Sequence, residues 1–154
     1  MPPELSPQHL PTLRSREKKQ MNRQTVIPAI LIVDDDPDIL TALHDLLEYD
    51  GFLVTEVSTC RDALEQVRTV EFSAVLLDIG LPDGDGLTVL EIIQTSAPSL
   101  PVIVITAFTS QDYRVKSLSG GAFSYLTKPY NRDELRAVLR RAVDLSRPPT
   151  TSDN

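Results

Sequence analysis

Cysteine is nearly missing from this chain: Cys60 is the only one in 154 residues. One thiol excludes an intrachain disulfide framework and suits a reducing compartment. Cys60 itself reads as a small residue near the start of a helix. Long apolar runs are also missing, so nothing in the sequence is suited to spanning a bilayer. No secretory pattern opens the chain, and the expectation is a cytoplasmic protein without membrane insertion. Basic residues are scarce over most of the length. Residues 1–24 carry five Lys/Arg against two Asp/Glu, the remainder ten against twenty, and the whole stands at −7. Affinity for nucleic acid comes largely from neutralising phosphates with Lys and Arg. An acidic body is therefore a poor direct ligand, and any DNA contact would run through a partner or a further domain. No internal repeat is found.

What is present is a core-forming pattern. With 41% hydrophobic residues the chain supports one domain plus tails. Residues 1–26, rich in Pro, Gln, Ser and charge, read as a disordered tail or linker, and the basic stretch Arg14–Lys19 within it as solvated. Residues 27–147 read as the folded domain and 148–154 as a second tail or linker.

Within the domain, strand and helix signals alternate. Ile30–Val33 is a strand, and Asp36-Pro37 then opens a helix with an N-cap and a proline at its first position. Ile39, Leu40, Leu43, Leu46 and Leu47 form its apolar stripe, and Gly51 stops it. Phe52–Val57 alternates apolar and polar residues, as a strand at or near a sheet edge does. Ser58 or Thr59 caps a helix carrying Ala63, Leu64 and Val67. Ala74–Leu77 is the third strand, residues 78–85 a loop, and Leu87, Val89, Leu90 and Ile93 the apolar face of the next helix. Pro101–Ile105 follows as a strand, then a weaker helix over 111–118 closed by Gly120-Gly121, then the strand Phe123–Thr127. The last helix starts with Asn131 and Glu134 in capping-box spacing and turns Leu135, Val138, Leu139 and Val143 inward. Five strands, each followed by a helix, predict an α/β fold. It is a single doubly wound five-stranded parallel sheet, flavodoxin-like, with strand order 2-1-3-4-5 and helices on both faces.

In open sheets of this kind ligands bind beyond the carboxyl ends of the strands. Those ends read Asp34-Asp35, Asp78, Thr106-Ala107 and Lys128-Pro129. Taken singly, Asp34–Asp36 could be helix-capping acids, Thr106 a β-branched strand residue and Lys128 a solvated charge. Taken together, carboxylates, a hydroxyl and an ammonium converge on one edge, and a buried carboxylate is costly unless a cation meets it. An oxygen-rich pocket suits Mg²⁺ and phosphate chemistry. A carboxylate can itself attack phosphorus and form an aspartyl phosphate. Asp78, alone on the central strand, is the better nucleophile, while the pair Asp34 and Asp35 is placed as metal ligands.

The segments ILIVDDDPDI (30–39), AVLLDIGLPDGDGL (74–87), PVIVITAF (101–108) and GAFSYLTKPYNRDEL (121–135) resemble the receiver domain of two-component response regulators. The resemblance covers residues 28–146 and implies a signalling domain that catalyses only its own phosphorylation and dephosphorylation. By it, Asp78 matches the phosphoacceptor, Asp34 and Asp35 the acidic metal-binding pair, and Gly80 the residue whose backbone carbonyl completes the Mg²⁺ shell. Thr106 matches the switch hydroxyl, Lys128 the lysine that pairs with the phosphoryl group, and Tyr125 the aromatic switch residue. Tyr125 reads equally as an ordinary strand aromatic. Lys128-Pro129 looks like the family's cis peptide. Gly80 and Phe108 occupy positions that govern water access in the family. The expected partners are a histidine kinase or histidine phosphotransfer protein and a downstream target or output domain, with a phosphorylation-dependent homodimer as an option. The surface of the fourth helix, fifth strand and fifth helix is expected to switch.

Asp83-Gly84-Asp85-Gly86-Leu87-Thr88 satisfies the D-x-D-G-x-T pattern of haloacid-dehalogenase-type phosphatases, in which the first Asp directly follows a strand. Here Pro82 precedes it, and proline cannot belong to a central strand. Asp83 and Asp85 therefore read as turn and cap acids. A Ca²⁺ loop lacks its closing Glu. His44 beside the first helix's stripe and His9 in the tail do not form a phosphocarrier. A free-standing or excised receiver is expected, the alternatives being the receiver portion of a hybrid histidine kinase or of a transcription factor.

Overall fold

The computed structural model describes residues 26–146. The readings of residues 1–25 and 147–154 lie outside the described residues. The first strand, β1 (Ala29–Val33), is apolar throughout and covered on both faces, as a central parallel strand must be. Asp36 then caps α1 (Pro37–Tyr49), its side chain accepting from Asp38 N, with Pro37 in the first turn. The edge strand β2 (Leu53–Val57) is only partly covered, which is why its sequence alternates. Thr59, rather than Ser58, caps α2 (Cys60–Thr69).

The fully buried β3 (Ala74–Leu77) follows, then α3 (Gly86–Ser96), β4 (Val102–Thr106), α4 (Gln111–Ser119), β5 (Ser124–Thr127) and α5 (Arg132–Ser146). The strands pair in the order β2-β1-β3-β4-β5, all parallel, which is the expected 2-1-3-4-5. The core is split by the sheet. On one face Ile30, Ile32, Leu76 and Ile103 meet Leu43 and Leu47 of α1 and Leu135 and Leu139 of α5. On the other, Leu31, Val75, Leu77 and Val104 meet Ala63 of α2 and Val89, Leu90 and Ile93 of α3. Each such buried Val, Leu or Ile contributes roughly 1.5–3 kcal/mol relative to exposure.

Several strand boundaries and one loop differ from the sequence reading: β1 already starts at Ala29, β2 starts at Leu53 and β4 runs on to Thr106. Strand β4 starts at Val102, because Pro101 has no N–H for the ladder, although its carbonyl accepts from Val75 N at 3.0 Å. Strand β5 starts one residue late, at Ser124. Residues 78–85 contain a short antiparallel hairpin, Gly80–Leu81 with Gly84–Asp85. Pro82 stands just inside its turn, where a fixed φ near −65° favours chain reversal.

Candidate functional site

The parallel register delivers the site. Val33 pairs with Leu77, so Asp34 and Asp78 leave their strands side by side, and Asp78 N donates to the Val33 carbonyl at 2.9 Å. Thr106 pairs with Thr127, which puts Lys128 just past it on the next strand. Every residue expected at this edge is found there.

Lys128 Nζ donates to Asp34 Oδ2 at 2.7 Å and to Asp78 Oδ2 at 2.8 Å. The other carboxylate oxygens are held by backbone: Asp34 Oδ1 accepts from Asp36 N and Asp78 Oδ1 from Gly80 N, both at 2.9 Å. Asp34 is 3% and Asp78 7% exposed, while Asp35 is exposed. One carboxylate oxygen from each of Asp34, Asp35 and Asp78 lies within 4.8 Å of the others, so the three can share one cation. Burial pushes the Asp34 carboxyl above its ordinary range, against the pull of Lys128 and the Asp36 amide. Burial also works against the charge on Lys128, but its bonds to Asp34 and Asp78 outweigh that and raise it. The pocket thus crowds more negative charge than Lys128 neutralises, and its donors are all hard oxygens. That chemistry fits a small divalent cation.

Thr106 is wholly buried, and its Oγ1 accepts from Phe108 N at 3.2 Å. The Tyr125 ring is buried too, and its hydroxyl donates to the Phe108 carbonyl. Both backbone groups of Phe108 are therefore held from beneath, while its ring stacks on Tyr113 with centroids 4.9 Å apart. A Cβ on Gly80 would lie 3.1 Å from the Phe108 ring, so glycine there lets the ring close over the loop beside Asp78. The Lys128–Pro129 peptide is cis, as the resemblance implied.

A sequence model of the response regulator receiver domain matches residues 30–140. The chain belongs to the response regulator receiver family. Among curated relatives, this receiver is 40% identical over 114 residues to the transcriptional regulatory protein ZraR of Escherichia coli (strain K12), covering 74% of this chain and 26% of that protein. It is 37% identical to the DNA-binding transcriptional regulator NtrC of Proteus hauseri, covering 74% of this chain and 24% of that one. Among solved structures it is similar to a CheY-like receiver domain protein from Methanospirillum hungatei JF-1, with 33% identity, a TM-score of 0.75 and coverage of 78% and 96%. It is also similar to the beryllofluoride-activated NtrC4 receiver domain dimer, with 31% identity, a TM-score of 0.73 and coverage of 77% and 98%.

The neighbouring acids Asp36, Asp83 and Asp85 hold backbone. Asp36 and Asp85 cap α1 and α3. Asp83, the first acid of the phosphatase-like pattern, accepts from Cys60 N and Arg61 N instead of facing the pocket. Sequence reasoning missed that contact, which spans more than twenty residues and leaves no local signal. It also missed the Phe108–Tyr113 stack, whose one trace is an aromatic pair straddling the helix cap Ser110.

Proposed function

We propose that this receiver, spanning residues 27–147, accepts a phosphoryl group on Asp78 from a histidine kinase or histidine phosphotransfer protein. The observation that carries this is the convergence of Asp34, Asp35 and Asp78 around the ammonium of Lys128. A carboxylate oxygen of Asp78 forms the new bond to phosphorus as the bond from phosphorus to the donor imidazole breaks. Asp34, Asp35, Asp78 and the Gly80 carbonyl are assigned to Mg²⁺, which when bound neutralises phosphoryl oxygens. Lys128 stabilises the charge on the transferred group, and Thr106 offers its hydroxyl proton to a phosphoryl oxygen. Turning that hydroxyl away from Phe108 N frees the loop that Tyr125 also holds, so Thr106 and Tyr125 serve as the switch. The domain acts as a cytoplasmic signalling module that processes only its own aspartyl phosphate.

The chain spans about a quarter of ZraR and NtrC, so the output is a partner protein or a further domain of a longer regulator. The NtrC4 receiver was solved as a beryllofluoride-activated dimer, which favours a phosphorylation-dependent homodimer here as well.

The test is incubation with Mg²⁺ and acetyl phosphate, followed by intact mass. The wild type is expected to gain one phosphoryl group and Asp78→Asn none. Persistent Mg²⁺-dependent labelling of Asp78→Asn would sink the assignment. Loss of labelling in Asp83→Asn alone, at any Mg²⁺ concentration, would favour the phosphatase reading.

A further inference from the structure

The hairpin that follows Asp78 is anchored at both ends. At its base, Gly86 N donates to the Ile79 carbonyl at 3.1 Å, and the backbones lie so close that a Cβ on Gly86 would sit 2.3 Å from Ile79 Cα. At its tip, Asp83 reaches across 23 residues of sequence to the start of α2. Its Oδ1 accepts from Cys60 N at 2.7 Å and its Oδ2 from Arg61 N at 3.1 Å.

The accounting at that helix end is complete. A helix leaves its first N–H groups without intrahelical partners. In α2, Asp62 N is taken by Thr59 Oγ1 and Ala63 N by the Thr59 carbonyl, each at 3.1 Å. Cys60 and Arg61 remain, and theirs are the two N–H groups that Asp83 binds. A carboxylate is favoured there by the helix dipole and by charge-assisted hydrogen bonds. The two amides hold its pKa below the ordinary carboxylate value. Between the anchors lie the buried Leu81 and Gly80, whose N–H is bonded to Asp78 Oδ1.

We propose that Asp83 is a positioning residue for the cation site, pinning the hairpin tip to α2 and so fixing the Gly80 carbonyl and the Asp78 carboxylate. This rests on the assignment of Asp34, Asp35, Asp78 and Gly80 to Mg²⁺. The physical reason is entropic. With the tip released, residues 80–85 keep the base anchor and the buried Leu81 but lose their tie to α2, and cation binding must order what is loosened. Supporting residues of this kind typically change metal affinity by about tenfold or more.

The experiment titrates Mg²⁺ into the full chain, following amide shifts around Asp35, Asp78 and Gly80 by NMR, and separately the Mg²⁺ dependence of acetyl phosphate labelling. Asp83→Ala is expected to raise both half-saturation concentrations roughly tenfold, while labelling at saturating Mg²⁺ stays within about twofold of wild type. Asp83→Asn, which keeps one acceptor oxygen, falls between. Thr59→Ala weakens the same helix end without touching the hairpin, so it lowers Tm but leaves half-saturation unchanged. An equal shift in Thr59→Ala, or no shift in Asp83→Ala beside a responsive wild type, overturns the positioning role alone. A wild type whose amides ignore Mg²⁺ overturns the assignment of the site, and the positioning role with it.

Discussion

Burial of one residue can be worth opposite things depending on what meets it. Asp34 and Asp78 are buried polar side chains with every carboxylate oxygen taken up by Lys128 or a backbone amide. Ser117 on α4 is equally buried, 0% exposed, yet its hydroxyl has no hydrogen-bond partner among the described residues. An unsatisfied buried hydroxyl costs free energy, and serine is also a poorer helix former than alanine. Ser117→Ala is expected to raise the unfolding free energy by about 1 kcal/mol, seen as a higher urea midpoint at unchanged slope. A fall of that size would mean that the hydroxyl has a partner and contributes to the core. Such a residue is invisible to pattern reading, because a serine in a weakly amphipathic helix reads as solvated.

Elements are joined by contacts that their own sequences do not announce. His44 on α1 places Nδ1 2.6 Å from Glu56 Oε2 on β2 and Nε2 3.4 Å from Glu48 Oε2 one turn along. Partial burial disfavours the imidazolium, but the two carboxylates outweigh it and hold His44 above its ordinary 6.5. The folded state therefore binds the proton more tightly than the unfolded chain. The stability that this contributes is fully present below pH 6.5 and is lost as pH rises through the raised folded value. Urea midpoints measured from about pH 6 to about pH 8 should show wild type losing stability relative to His44→Gln. Parallel profiles for the two proteins would remove the link between α1 and β2. The bidentate pairing of Arg136 on α5 with Asp50 at the end of α1, at 2.9 and 3.2 Å, joins two helices in the same way.

At the scale of the molecule, the helices are not held equally. Helices α1, α3 and α5 each bury several aliphatic side chains, whereas the most buried residue of α4 is Ser117. What fixes α4 lies at its start: the Phe108–Tyr113 stack and the loop held by Thr106 and Tyr125. A poorly anchored helix whose anchor touches the site is where a change at Asp78 can shift a population of conformers. Beryllofluoride with Mg²⁺ should therefore move amide resonances between Thr106 and Ala142, including those of α4, while the edge strand β2 stays quiet. An unchanged spectrum over those residues would defeat the switch assignment.

The amino-acid sequence by itself determined the element order, the strand order and the identity of the converging residues. The strand order follows from the topology rules for alternating strands and helices. The element order and the site residues follow from periodicity, caps and strand-end chemistry, which act over a few residues. Asp36 as a cap, Pro37 in the first turn and the edge character of β2 were legible for that reason. Only the tertiary structure decided which oxygens Lys128 bridges, how near the three carboxylates approach, and that Asp83, already legible as a turn acid, seals α2. The contacts of Lys128 and Asp83 join residues from 22 to 94 positions apart. Their partners are chosen by sheet register and helix packing, which no local pattern encodes.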